Sequence, residues 1–161
     1  GRELKFQIQL QEAGFETFIP MALKKIEKDG RKETKAVPAV SNLCFVHSKQ
    51  QTLYEFFQTM GEVCPGRFIW DKYTRNPITV PDKAMRDFML VSTAMLEDTI
   101  YLNEINSKLR EGQKVRVTQG PFKGVEGKIV RIRKSRRIMV ELPGSLAVAS
   151  TYISPENVEI L

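Results

Sequence analysis

The stretch Val115-Arg116-Val117-Thr118-Gln119-Gly120-Pro121-Phe122-Lys123-Gly124-Val125-Glu126-Gly127-Lys128-Ile129 constrains the fold more than any other part of the chain. Val115 and Val117 alternate with polar neighbours as a half-buried strand does. Gly120 and Pro121 then turn the chain sharply, one by tolerating unusual backbone angles and the other by fixing its own. Gly124 opens a second position to positive φ, and Gly127 begins the next strand where another backbone can approach closely. Phe122 is left at the tip of the loop. Short alternating segments recur around 115–117, 127–132, 138–142, 147–151 and 158–161, separated by Gly and Pro signals. Five short strands within roughly fifty residues predict a small β-barrel.

The sequence ahead of it is of a different kind. Leu4, Phe6, Ile8 and Leu10 alternate as a strand would, but Glu3, Gln11, Glu12 and Ala13 favour a helix, and Gly14 suits its C-terminal cap, so 3–13 is expected to be helical. Phe15, Thr17 and Ile19 read as a strand stopped by Pro20. The charge-rich segment Lys24–Lys35 is centred on Asp29-Gly30, a dipeptide of tight hairpin turns, which predicts a protruding β-hairpin. A central strand over Leu43–His47 precedes a helix over Thr52–Met60, whose Leu53, Phe56, Phe57 and Met60 share helical spacing. Phe68–Tyr73 reads as a strand, Arg75-Asn76-Pro77 as a turn, and Ile78 and Val80 as a short return strand. Pro81 and Asp82 suit the first turn of a further helix with Met85, Phe88, Met89 and Ser92 on its apolar side. Residues 97–111 carry scattered Ile100, Leu102, Ile105 and Leu109 and read as a partly helical linker. The expected organisation is α+β: a first domain over 1–96, the linker, and the small β domain over 112–161.

The charges divide the same way. The chain carries a formal +6, yet Arg110–Arg137 holds ten basic residues against two acidic ones, a local +8 that leaves −2 for the rest. Such a cluster either meets an anionic partner or serves as a solvated face. With 42% hydrophobic and 27% charged residues the chain is of globular type. No apolar run reaches the roughly 18 residues of a membrane span. Nothing resembling an export leader is visible, so a cytoplasmic location is expected, with Cys44 and Cys64 as reduced thiols. His47 is the single histidine and has no cysteine or carboxylate at ligand spacing, and no phosphate-binding glycine loop occurs. A non-enzymatic protein without metal or cofactor is the expectation.

The Val115–Ile129 stretch resembles the KOW motif, and the resemblance continues through Arg137–Leu142 to Ser154-Pro155-Glu156-Asn157, the turn before the last strand. KOW domains occur in ribosomal proteins and in elongation factors, which leaves both classes open. The first ninety residues separate them. Gly1-Arg2-Glu3 before a helix, Ala13-Gly14-Phe15-Glu16, Phe18-Ile19-Pro20-Met21, Leu43-Cys44-Phe45-Val46, and Ile78-Thr79-Val80-Pro81-Asp82-Lys83 with Met85 and Phe88 resemble the NGN domain of the NusG family, in that family's order. Family members carry a further strand just ahead of the Gly-Arg-Glu position, and the resemblance implies it in the natural protein. The charged hairpin and the tail Ala147–Tyr152 are most similar to specialised UpxY-type antiterminators of polysaccharide-synthesis operons, with RfaH more distant.

The resemblance implies an elongation or antitermination factor that binds RNA polymerase through an apolar NGN patch and suppresses pausing or termination. Leu43, Phe45, Phe68 and Trp70 occupy the matching strands, with packing of the sheet against its helices as the competing reading for each. Arg2, Lys5 and Gln9 fall near where family members approach non-template DNA, and Arg67 is a further candidate, with a solvated face as the competing reading for each. In the family the KOW domain docks ribosomal protein S-ten or the termination factor Rho, for which Phe122 and Ile138 are the candidates here. Arg131, Arg133, Lys134, Arg136 and Arg137 add nascent RNA as a partner. The glycines, prolines and β-branched residues of the tail predict a stable β-fold rather than the helical hairpin known from RfaH. A monomer is expected. The alternative is a ribosome-associated or general RNA-binding KOW protein.

Overall fold

The computed structural model describes residues 1–94, 98–102, 112–144 and 146–161. Of the expected linker, residues 97 and 103–111, with Ile105 and Leu109, lie outside them. The chain forms two compact units, one of Gly1–Pro20 with Pro38–Pro77, the other of Met21–Val37 with Ile78–Leu161. Helices and antiparallel sheets make it an α+β protein, as expected.

The first unit opens with α1 (Arg2–Glu12), whose Leu10 is fully buried. Gly14, at φ +91°, turns the chain out of the helix, and Phe15 N–H donates back to the Leu10 carbonyl at 3.0 Å. Glu16–Phe18 form β1. Its antiparallel partner, Phe45–His47, becomes β4 after the two hairpin strands described below, with Glu16 opposite His47 and Phe18 opposite Phe45. The strand expected to begin at Leu43 starts two residues later, because Asn42 sits at φ +58° with its N–H donated to Glu3 Oε1 at 2.7 Å. Next comes α2 (Gln50–Met60), ended by Gly61 at positive φ. Aromatic rings link these elements: Phe15 to Phe56 at 5.3 Å, Phe6 to Phe57 at 5.9 Å and Phe57 to Phe68 at 5.2 Å between centroids, distances at which tilted rings attract. Gly66 lies so close to the Phe6 ring that a Cβ there would run into it.

The strands expected over Phe68–Tyr73 and Ile78–Val80 do not form, and a single bridge joins Trp70 to Pro77. Asp71 is the reason. Its Oδ1 accepts the N–H groups of Tyr73 at 2.7 Å and Thr74 at 3.0 Å, and its own N–H donates to the Asn76 carbonyl at 2.8 Å. That local turn, with Arg75 at φ +57°, consumes the backbone groups a ladder would need.

In the second unit β2 (Met21–Lys28) and β3 (Arg31–Pro38) form the expected hairpin as a two-stranded sheet. Asp29 and Gly30 sit at φ +53° and +73°, the double left-handed conformation of a tight hairpin turn. The helix α3 (Asp82–Ala94) buries Asp87, Phe88, Val91 and Ser92, with Met85 and Met89 half-buried beside them. Ile100–Leu102, expected within a partly helical linker, are instead β5, a β-branched and aromatic triplet that pairs antiparallel with the strand Leu146–Tyr152. All five strands expected from the C-terminal sequence form: β6 (Lys114–Val117), β7 (Glu126–Ile132), β8 (Ser135–Leu142), β9 (Leu146–Tyr152) and β10 (Val158–Ile160). With β5 they make one antiparallel sheet in the order β10-β6-β7-β8-β9-β5. Consecutive residues 138–140 of β8 are all buried, so by the alternation of side chains both faces of this strand are covered. Gly127 is where the backbones come closest: a Cβ there would strike the Met139 carbonyl.

Candidate functional site

The loop after Phe68 presents the largest apolar side chains of the first unit to solvent. Trp70 is 58% exposed, Ile69 56% and Tyr73 96%. The Asp71 turn stiffens this display, and the Thr74 and Tyr73 N–H groups that it accepts hold its carboxyl below the ordinary range. The four residues expected to share an apolar patch differ in exposure. Phe45 is half-buried against Phe18, at 6.4 Å between centroids, Leu43 is half-buried ahead of β4, and Phe68 packs on Phe57. Trp70 alone of the four is exposed; Ile69 and Tyr73, which sequence reasoning passed over, flank it.

Arg2, Lys5 and Gln9 do come together. They stand three and four residues apart on α1, hence on one helix face, and with Phe6, Ile8, Val63 and Pro65 they line an open groove of about 570 Å³. Ile8 and Val63 are exposed apolar rims; in sequence Ile8 reads as one of the alternating apolar residues of 3–13 and Val63 has no assigned role. Cations beside apolar walls suit a ligand that alternates phosphate with sugar and base. Arg67 is exposed but does not line the groove.

In the second unit the two residues expected to dock a partner are core. Ile138 has no exposed surface, because its face of β8 is covered. Phe122 is 6% exposed. The loop that was to display it folds back: Gly124 N–H donates to the Val117 carbonyl at 2.8 Å and Val125 N–H to Phe122 at 2.9 Å, which turns the ring inward. Arg137 is likewise not available to a ligand. Its Nη1 donates to the carbonyls of Asp98 and Ser150, both at 2.9 Å, and its Nη2 pairs with Asp98 Oδ1 at 3.3 Å, so it ties β8 and β9 to the residues before β5. A hydrogen bond from the Thr151 side chain, then the charge of Arg137, keeps the Asp98 carboxyl below its usual range. Arg131, Arg133 and Lys134 are exposed and Arg136 half-buried, all at the end of the sheet where β7 turns into β8.

A polar junction missed in the sequence anchors α3. Lys83 Nζ donates to both oxygens of the buried Asp87 at 2.6 and 2.7 Å and to the Gly124 carbonyl at 2.7 Å, and Asp87 Oδ2 accepts the Glu126 N–H at 3.2 Å. The i,i+4 spacing of Lys83 and Asp87 was legible, but their shared target is forty residues away in sequence.

Burial pushes the Cys44 thiol up to about 11, which leaves it protonated at neutral pH. His47 Nδ1 lies 3.1 Å from Glu16 Oε2 on the open surface of the β1–β4 pair. Among the described residues no three His, Cys, Asp or Glu side chains converge as metal ligands, and no helix is long and apolar enough to cross a membrane.

Two family models match the chain. One, described as transcription termination factor nusG, covers residues 1–89, and the other, described as KOW motif, covers residues 111–141. No curated protein matches it.

Proposed function

Because the chain belongs to the NusG family of non-enzymatic transcription elongation and termination factors, we propose that it binds RNA polymerase through the surface around Trp70 and suppresses pausing or termination. The observation that carries this is the Ile69–Trp70–Tyr73 display, a cluster of exposed apolar and aromatic side chains held on a hydrogen-bonded turn. Large aromatic residues presented on a rigid support lose little entropy on docking and make natural anchors of an interface. The Arg2–Lys5–Gln9 groove supports contact with the phosphates of the non-template DNA strand, which positions the factor without reading sequence.

The proposed division of labour is a polymerase-binding segment over 1–96, a linker over 97–111 that lends β5 to the C-terminal sheet, and a partner-recruiting domain over 112–161, acting as a cytoplasmic monomer. By packing, α3 belongs with the C-terminal strands. Ribosomal protein S-ten or Rho is the proposed second partner. With Phe122 and Ile138 buried, exposed loop and edge residues have to supply that contact. The charged β2–β3 hairpin supports the narrower reading of an antiterminator at long polysaccharide-synthesis operons.

Mechanistically, a bridging factor need only prefer the processive over the paused conformation of polymerase. A differential of about 1.4 kcal/mol shifts that equilibrium tenfold. The test is transcription in vitro across a terminator, with and without the factor, alongside recovery of polymerase by tagged protein. Trp70→Ala should leave the fold intact and reduce polymerase recovery roughly tenfold, since an interface anchor is worth 1–2 kcal/mol or more. Unchanged read-through on every template, or recovery of ribosomal RNA without polymerase subunits, would overturn the proposal.

A further inference from the structure

We propose that the β7–β8 hairpin is a binding site for the phosphodiester backbone of a single-stranded nucleic acid. The first observation is the turn itself. Two-residue turns of this kind place both central residues at positive φ and favour Asn-Gly or Asp-Gly, which is what the chain uses at Asp29-Gly30. At the β7–β8 turn those positions are Arg133 and Lys134, at φ +53° and +60°. Two long cations occupy a backbone conformation that disfavours them, in a chain that builds an unstrained version elsewhere. Strain of that sort concentrates at functional positions.

The ladder behind the turn repeats the pattern. Arg131 stands directly opposite Arg136, a like-charge cross-strand pair that destabilises a sheet unless an anion joins it. Arg131, Arg133, Lys134 and Arg136 form no ion pair among the described residues. Asp98, the carboxylate that feels the charge of Arg133, is already bonded to Arg137 and Thr151. Arg136 Nε is buried with no hydrogen-bond partner among the described residues, a donor whose desolvation they do not offset. Four cations grouped around one turn, without an ion-pair partner among the described residues, fit the oxygens of successive phosphates.

The third observation concerns the bases. Tyr152, 59% exposed, is the cross-strand neighbour of Arg137 and so stands at the turn end of the sheet, on the face opposite Arg131 and Arg136. An open ring at the end of the sheet that the cationic turn closes offers unpaired bases a surface to stack on, which a duplex cannot exploit. This site is separate from the Arg2–Lys5–Gln9 groove and does not depend on the polymerase reading.

The experiment is fluorescence anisotropy of the full chain with labelled single strands of about 12 nucleotides, RNA and DNA of the same sequence, and the corresponding duplex. Four phosphate contacts predict a log–log salt slope of about −2.8 on a single strand, a loss of affinity of roughly 50-fold between about 50 and 200 mM salt. The decisive variant is R133N/K134G. Asn-Gly is the preferred sequence for this turn, so the variant should melt no lower than the parent. Its slope should fall to about −1.4 and its affinity at low salt should drop. Tyr152→Ala should weaken single-strand binding at least roughly fivefold and leave duplex binding unchanged. The RNA and DNA arms distinguish a transcript from an exposed DNA strand as the source. An R133N/K134G protein that binds with unaltered affinity and slope, or a parent that prefers duplex, would overturn the proposal. Loss of polymerase recovery in Trp70→Ala with intact strand binding would leave it standing.

Discussion

Replacing Asp87 by Ala tests what seats α3 on the C-terminal sheet. The β7–β8 ladder begins at Lys128 and Met139, so the Glu126 N–H lies beyond it and takes Asp87 Oδ2 as its acceptor. Alanine leaves that amide without its partner, at a cost of about 1–3 kcal/mol. The same change releases Lys83, whose side chain is about half exposed, so the lost ion pair contributes no more than about 1 kcal/mol. The sum is about 1–4 kcal/mol, which for a chain of this size lowers the melting temperature by roughly 2–16 °C. Asp87→Asn keeps an acceptor for the amide and loses only the charge, so it should cost about 1 kcal/mol. Calorimetry measures the melting temperatures, and hydrogen exchange at the Glu126 amide localises the effect, with faster exchange expected in Asp87→Ala. An alanine variant that melts within about 1 °C of the parent, or whose Glu126 amide exchanges no faster, refutes the reasoning.

Gly127→Ala should destabilise the C-terminal sheet by at least about 2 kcal/mol, because the added methyl meets the Met139 carbonyl, which is backbone and cannot swing aside; chemical denaturation reads this directly. Acid should loosen the junction that Arg137 makes between β5, β8 and β9. The Asp98 carboxyl is held below its unfolded-state value, so its contribution is complete above that value and is lost as pH falls through the lower, folded one. Amide exchange in Ile100–Leu102, followed from neutral pH down to below about pH 4, should therefore accelerate, and Asp98→Asn should flatten the dependence.

Much of the C-terminal half was legible because local signals there agree with one another. Period-two alternation, glycines at the turns and the Gly120-Pro121 break located β6 to β10 to within three residues, and the close approach at Gly127 followed from the same logic. Asp29-Gly30 was equally readable, since a turn's chemistry is carried by its own residues. The segment Phe68–Tyr73 was not. Its aromatic and apolar residues read as a strand, but a side-chain acceptor at Asp71 competes for the backbone donors, and pattern alone does not weigh that competition.

The candidate site divides along the same line. Which residues are cations, aromatics or turn formers, and that Arg2, Lys5 and Gln9 share a helix face, follow from sequence order and helical period. Whether Phe122 and Ile138 face outward, whether Arg137 is free or consumed by Asp98 and Ser150, and where Arg136 leaves a donor unmatched depend on segments distant in the chain. Burial and hydrogen-bond satisfaction are properties of what packs against a residue. Only the tertiary structure could decide that the basic run is one structural arginine and a cationic turn.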